Sequence, residues 1–167
     1  LIISNAIFGD GATAAVVWDR PEGLRMVSSR MLYDTACRDD VRYVHKDGGA
    51  LHNQLSQRLP QVIGERVPGE ITRLLDEASL TLGDIAHWAI HPGGHRMLEA
   101  IQEALGLPEE CMRVSREILA EYGNMSSPTA MFALARQMER GIARGAWCCL
   151  VGYGAGLSVY TSLLQAE

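Results

Sequence analysis

Apolar and polar positions along the chain switch between two periods, and the switches mark out the elements. The run Trp88-Ala89-Ile90 stops abruptly at His91, and Pro92-Gly93-Gly94 follows as a turn. Beyond the turn, Met97, Leu98, Ile101 and Leu105 fall at helical spacing. The pattern predicts a buried strand that carries His91 at its carboxyl end, then a turn, then a helix near residues 95–105 closed by Gly106-Leu107-Pro108. In open α/β sheets, ligand chemistry collects outside that end of the strands. Upstream, Leu51, Leu55, Leu59, Ile63, Val67, Ile71, Leu74 and Leu75 predict helix from residue 50 to 80, with Pro60 and Pro68 breaking or kinking it. Ala12–Trp18 and Leu24–Met31, separated by the turn Asp19-Arg20-Pro21-Glu22-Gly23, read as a hairpin. The polar stretch 32–48 reads as loop.

Further along, Ser115 is placed to cap a helix through Ile118, Leu119 and Tyr122, with Glu117 favourable in its first turn. Ser127-Pro128 predicts a cap and a first-turn proline for a helix running to Gly141. A strand over Ala146–Val151, the glycine loop Gly152-Tyr153-Gly154-Ala155-Gly156 and a last strand over Leu157–Leu164 complete the chain. Strands alternating with helices define an α/β fold.

Composition changes this picture little. With 167 residues and 47% apolar content, the chain can bury a real core. A net charge of -5 argues against nucleic acid as the main partner. No apolar run approaches the roughly 20 residues of a membrane span. Of the four cysteines, adjacent Cys148 and Cys149 lie in an apolar strand pattern and read as small buried hydrophobes, so a reducing cytosol is the simplest compartment. The opening Leu1-Ile2-Ile3-Ser4-Asn5 is apolar without an initiator Met and reads as a piece of a longer protein.

Two residues stand out chemically. His91, between a strand end and a glycine turn, is open to three readings: catalytic group, metal ligand or satisfied buried histidine. His87, His91 and His95 are four apart, which on one helix would make a metal face, but Pro92-Gly93-Gly94 interrupts any such helix. Asn124, in Glu121-Tyr122-Gly123-Asn124-Met125-Ser126-Ser127, sits where asparagine commonly serves only as a turn residue. Beside a histidine, its amide is also the donor that an oxyanion or enolate site requires. The glycine loop 152–156 precedes a β-type run, unlike a dinucleotide fingerprint, and suits close packing of backbone beside a pocket.

Four stretches in order, Phe8-Gly9-Asp10-Gly11-Ala12, Trp88 to Gly94, Glu121 to Ser127 and Gly152-Tyr153-Gly154-Ala155-Gly156-Leu157, give a sequence that resembles the chalcone synthase family, the type III polyketide synthases. The resemblance spans essentially the whole chain and corresponds to the carboxyl-terminal part of such an enzyme. It implies a thiolase-like α/β fold, with residues 1–40 supplying the terminal strands, a last hairpin, of the amino-terminal half and 41–167 the carboxyl-terminal domain. It implies decarboxylative condensation of malonyl-CoA onto an acyl-CoA starter, with no cofactor or metal besides these CoA thioesters. His91 and Asn124 fall on the histidine and asparagine of the family's Cys-His-Asn triad, and Phe8 on a gatekeeper phenylalanine. Ser126, Gly154 and Ala155 join the substrate pocket. The implied assembly is a cytoplasmic homodimer completed by the amino-terminal half, with neither nucleic acid nor membrane as partner. Three departures are visible. None of Cys37, Cys111, Cys148 and Cys149 lies in the family's nucleophile motif; the second gatekeeper phenylalanine falls near Asn53; and Tyr153 and Ala155 stand where plant members have Phe and Pro. A bacterial-type member with another starter fits better than plant chalcone formation. The alternatives are a condensing enzyme like ketoacyl-carrier-protein synthase III, or a catalytically inactive isolated piece.

Overall fold

The computed structural model describes residues 6–46 and 48–167; the opening Leu1-Ile2-Ile3-Ser4-Asn5 stretch and Asp47 lie outside them. In chain order the elements are β1 (Leu24–Tyr33), β2 (Val41–Lys46), β3 (Ala50–Leu55), α1 (Leu59–Glu77), β4 (Ile85–Ile90), α2 (His95–Leu105), α3 (Glu109–Tyr122), α4 (Ser127–Arg140), β5 (Trp147–Gly154) and β6 (Ser158–Ala166). One sheet has the order β1-β6-β5-β4; β4 and β5 run parallel, and β6 is antiparallel to both β5 and β1. The parallel pair places the carboxyl ends of β4 and β5 together, so His91 and the glycine loop 152–156 share one end of the sheet.

Alternation with a period of two builds the two faces. Trp88, Ile90, Cys149, Val151 and Leu163 pack with Ile63, Val67, Ile71 and Leu74 of α1 and Leu98 and Ile101 of α2. Ala89, Cys148 and Leu164 pack on the opposite side with Val114 and Ile118 of α3 and Ala133 and Leu134 of α4. Neighbouring Cys148 and Cys149 therefore enter different cores, both as free buried thiols. The α1 face is covered out to β1, whereas α3 and α4 cover only the β4–β5 half of theirs. Met26, Met31, Tyr33 and Tyr160 consequently remain largely exposed on β1 and β6.

Four sequence expectations are corrected. Residues 12–18 form no strand and stay exposed; β1 instead pairs along β6, from Leu24 opposite Ala166 to Tyr33 opposite Ser158. Residues 41–55, expected as loop and helix, form a hairpin in which Val41 faces Leu55 and Lys46 faces Ala50. Its base is fastened by Asp40, which accepts from Arg58 at 2.7 and 2.8 Å and from Ser56 at 2.6 Å. The helix α1 is continuous through Pro68; Pro60 lies in its first turn, where proline costs no hydrogen bond. Gly64, whose carbonyl loses its partner to Pro68, is where α1 lies against Ala100 of α2, a Cβ there falling 3.1 Å from the alanine Cβ. Finally, α3 begins at Glu109, with Glu109 and Glu110 rather than Glu117 in its first turn, so Ser115 is inside the helix. The strand at β4, the helices α2 and α4 and the β5–β6 hairpin fall close to where the periodicity predicts them.

Candidate active site

The end of β4 is bonded from both sides. The His91 N–H donates to the Val151 carbonyl at 2.8 Å, closing the ladder with β5. On the outer edge of the sheet, the Ile90 N–H donates to Ser115 Oγ at 3.1 Å. A buried serine on α3 thus satisfies an edge donor one residue before the histidine. The chain then turns through Pro92-Gly93-Gly94 into α2.

Phe8-Gly9-Asp10-Gly11 and Tyr122-Gly123-Asn124-Met125 lie backbone against backbone. The Asn124 N–H donates to the Ile7 carbonyl at 2.7 Å, and the Gly9 N–H donates to the Asn124 carbonyl at 3.1 Å. This bridge requires glycine. A Cβ on Gly9 would fall on the Tyr122 carbonyl, one on Gly11 on the Met125 thioether, and one on Gly123 at 2.6 Å from the Ile7 carbonyl oxygen. Asn124 is thereby held between two segments, bridged directly to Phe8. The Met125 N–H donates to Thr129 Oγ1 at 2.9 Å, while that hydroxyl donates to the Ser126 carbonyl at 2.8 Å. Ser126 itself adopts φ 65° and ψ −133°, a conformation unfavourable for any residue with a Cβ.

These constraints bring His91 and Asn124 to one end of the sheet. Asn124 Nδ2 donates to the Gly93 carbonyl at 3.1 Å, two residues past His91, and its Oδ1 accepts the Ser126 N–H at 2.8 Å. Both side chains are buried. The His91 ring stands edge to face with Tyr153, centroids 5.1 Å apart. His91 Nδ1 is shut off from solvent without a hydrogen-bond partner, and burial lowers the imidazole to about 4, so the ring is neutral at neutral pH. Tyr153 Oη accepts the Gly93 N–H at 3.3 Å, and burial pushes its phenol up, keeping it protonated. Phe8 is 40% exposed beside this bridge, Ser126 is exposed next to Asn124, Gly154 ends β5, and Ala155 lies exposed in the following turn, its carbonyl accepting from Ser158.

The histidines do not converge. His87 Nδ1 pairs with Gln137 at 3.1 Å and His95 Nε2 with Glu99 at 3.1 Å. Burial pushes the Cys148 thiol up to about 12 and raises Cys149 as well, which leaves both as poor nucleophiles. Sequence reasoning missed Ser115 and Thr129 as the residues that fix the two turns. Their hydroxyls act on backbone groups 25 and 4 positions away, and only the shorter link had a local signal.

A neutral buried imidazole and a carboxamide, fastened to one glycine turn at the carboxyl end of an α/β sheet, define a site suited to a carbonyl oxygen. The fold is the thiolase-like one, as in two solved enzymes. One is PKS-I from the brown alga Ectocarpus siliculosus, with TM-score 0.78 and 29% identity over 89% of this chain and 41% of that one. The other is 1,3,6,8-tetrahydroxynaphthalene synthase from Streptomyces coelicolor A3(2), a bacterial type III polyketide synthase, with TM-score 0.81 and 28% identity over 87% and 42%. The profile of chalcone and stilbene synthases, C-terminal domain, matches residues 24–166, and the chain belongs to that family. It is also 31% identical to 3,5-dihydroxyphenylacetyl-CoA synthase of Streptomyces toyocaensis over 98% of its own length and 44% of that protein. The chain thus spans less than half the length of these relatives.

Proposed function

We propose that this chain supplies the histidine–asparagine part of a condensing site that joins malonyl-CoA, with loss of carbon dioxide, to an acyl-CoA starter. The observation that carries it is the buried, neutral His91 beside a Gly93 turn that Asn124 grips by its amide. A cysteine thiolate would come from the portion of the enzyme that the relatives carry over the rest of their length. Brought next to such a thiolate, the imidazole gains a proton partner that offsets the cost of charging it, which favours acyl loading. In the decarboxylation step the neutral ring and the Asn124 N–H can both donate to the thioester oxygen as negative charge develops there. Phe8, Ser126, Gly154 and Ala155 line the substrate side of this arrangement. The open face of β1 and β6 seats the remainder of the enzyme, which works as a cytoplasmic homodimer. Among the described residues no helix is long and apolar enough to cross a membrane.

The test separates the two residues. In an enzyme containing this chain, His91→Ala should impair both starter acylation, followed by mass spectrometry, and carbon dioxide release from malonyl-CoA. Asn124→Ala should load normally and decarboxylate about 10²–10³-fold more slowly, the effect of removing one oxyanion donor. Abolished loading with intact decarboxylation in Asn124→Ala would overturn these roles. Residues 1–167 alone should form no product, and turnover through one of the four cysteines would refute the need for an external thiolate.

A further inference from the structure

We infer that Tyr153 is the positioning residue of this site: its ring and hydroxyl hold the Gly93 peptide and the His91 imidazole in one arrangement, so that imidazole and Asn124 amide meet a thioester oxygen together. The inference rests on the reading of His91 and Asn124 as the catalytic pair. Its basis is a glycine held through the peptide groups on both of its sides. The Gly93 N–H is shared between the His91 carbonyl at 3.1 Å and Tyr153 Oη at 3.3 Å, and the Gly93 carbonyl accepts from Asn124 Nδ2 at 3.1 Å. The tyrosine bond restrains the Pro92–Gly93 peptide and the asparagine bond the Gly93–Gly94 peptide, so rotation of either group breaks its own bond. The same tyrosine ring stands edge to face with His91, so ring, turn and imidazole form one packed unit. Tyr153 is itself fixed. It pairs with Val159 in the β5–β6 ladder, two residues beyond Val151, the partner of Ile90 at the end of β4. That register sets it beside the turn instead of beside a strand. The packing is close: a Cβ on Gly93 would lie 3.1 and 3.2 Å from the tyrosine ring and hydroxyl, so a substitute would displace the ring by a few tenths of an ångström.

A phenylalanine at 153 would keep the ring and its packing but leave the Gly93 N–H only the His91 carbonyl as acceptor. Tyr153→Phe therefore isolates the hydroxyl. Amide hydrogen exchange at Gly93, read without substrate, should quicken about two- to threefold, the low end of what a hydrogen bond is worth, because the His91 carbonyl still accepts. Amides within the sheet, such as Cys149 and Leu163, should keep their native rates. In the complete enzyme, kcat for malonyl-CoA decarboxylation should fall about two- to threefold at unchanged KM, since the hydroxyl acts on geometry and not on substrate affinity. Native exchange at Gly93 would overturn the clamp. Faster exchange with native turnover would overturn the positioning role. Should Tyr153→Phe not fold, 3-fluorotyrosine in the native sequence weakens the acceptor: a shifted Gly93 amide proton supports the clamp and an unshifted one overturns it. Native decarboxylation in His91→Ala would instead defeat the underlying reading of the site, and the Gly93 exchange result would stand apart from it.

Discussion

His91 couples the site to the stability of the fold. Its imidazole is held at about 4 in the folded chain against 6.5 ordinarily, through burial without a compensating acid. Between those values the unfolded chain binds a proton that the folded chain excludes. Stability therefore rises with pH through this window and is lost as pH falls from about 6.5 to 4, by about 3 kcal/mol from this one group. Asp40 acts in a separate window. Arg58 and Ser56 hold its carboxyl near 2, below the ordinary 3.8, so its contribution is present above 3.8 and fades as pH falls towards 2. Urea midpoints measured against pH should fall in two limbs, and His91→Gln should flatten the upper limb alone. An unchanged upper limb in that variant would show that another group titrates there. At this scale the sequence was partly legible. His91 is visible because it ends a clear apolar run beside a glycine turn, whereas Asn124 lies in the break between two helical patterns and gains meaning only beside His91 and from the family resemblance. Ser115 was misread as a helix cap because Ser-x-Glu imitates a helix start, whereas its hydroxyl is committed to the Ile90 N–H across the fold.

Glycines decide whether the elements can meet at the site. Gly106 and Gly123 both follow helices with positive φ, 63° and 72°, but they differ in what surrounds them. Gly106 is an ordinary left-handed cap, and a Cβ there would meet nothing within 4 Å. Gly123, with ψ −169°, occupies a region essentially reserved to glycine, and a Cβ there would lie 2.6 Å from the Ile7 carbonyl. Gly106→Ala should cost about 1–2 kcal/mol in urea titrations, the left-handed penalty alone. Gly123→Ala should cost more and should release the bridge, seen as faster exchange of the Asn124 and Gly9 amides. Equal costs with a protected Asn124 amide would mean that the bridge does not depend on the glycine. Legibility at this scale follows sequence separation. The β4–turn–α2 unit is local, and its pattern is plain. The hairpin β2–β3 was hidden because Leu51, Leu55 and Leu59 imitate one helical face, although Leu51 is 61% exposed and pairs across to His45. Residues 12–18 look strand-like, but β1 finds its partner in β6, more than 120 positions away, and no local pattern records that pairing.

At the scale of the whole molecule, the four-stranded sheet is incompletely covered by the described residues. On the side of α3 and α4, Met26, Met31, Tyr33 and Tyr160 form an apolar surface on β1 and β6, with the Tyr33 and Tyr160 hydroxyls 2.7 Å apart. Among the described residues β1 has no strand on its outer side. An exposed edge strand next to a bare apolar face is a template for association. In the reading proposed above, the remainder of the enzyme covers this face, so the chain taken alone should self-associate. The measured mass by light scattering should rise with concentration for residues 1–167. Met31 and Tyr160 stand directly opposite each other in the antiparallel register, so Met31→Glu with Tyr160→Lys replaces an apolar pair by a complementary charged one without disturbing the ladder. That double variant should stay monomeric where the native chain does not, and it should also weaken assembly with a cysteine-bearing amino-terminal partner. A native chain that stays strictly monomeric at high concentration would show that this face needs no cover. Association that persists in the double variant would move the interface elsewhere, and the seat of the cysteine-bearing partner would have to be sought with it.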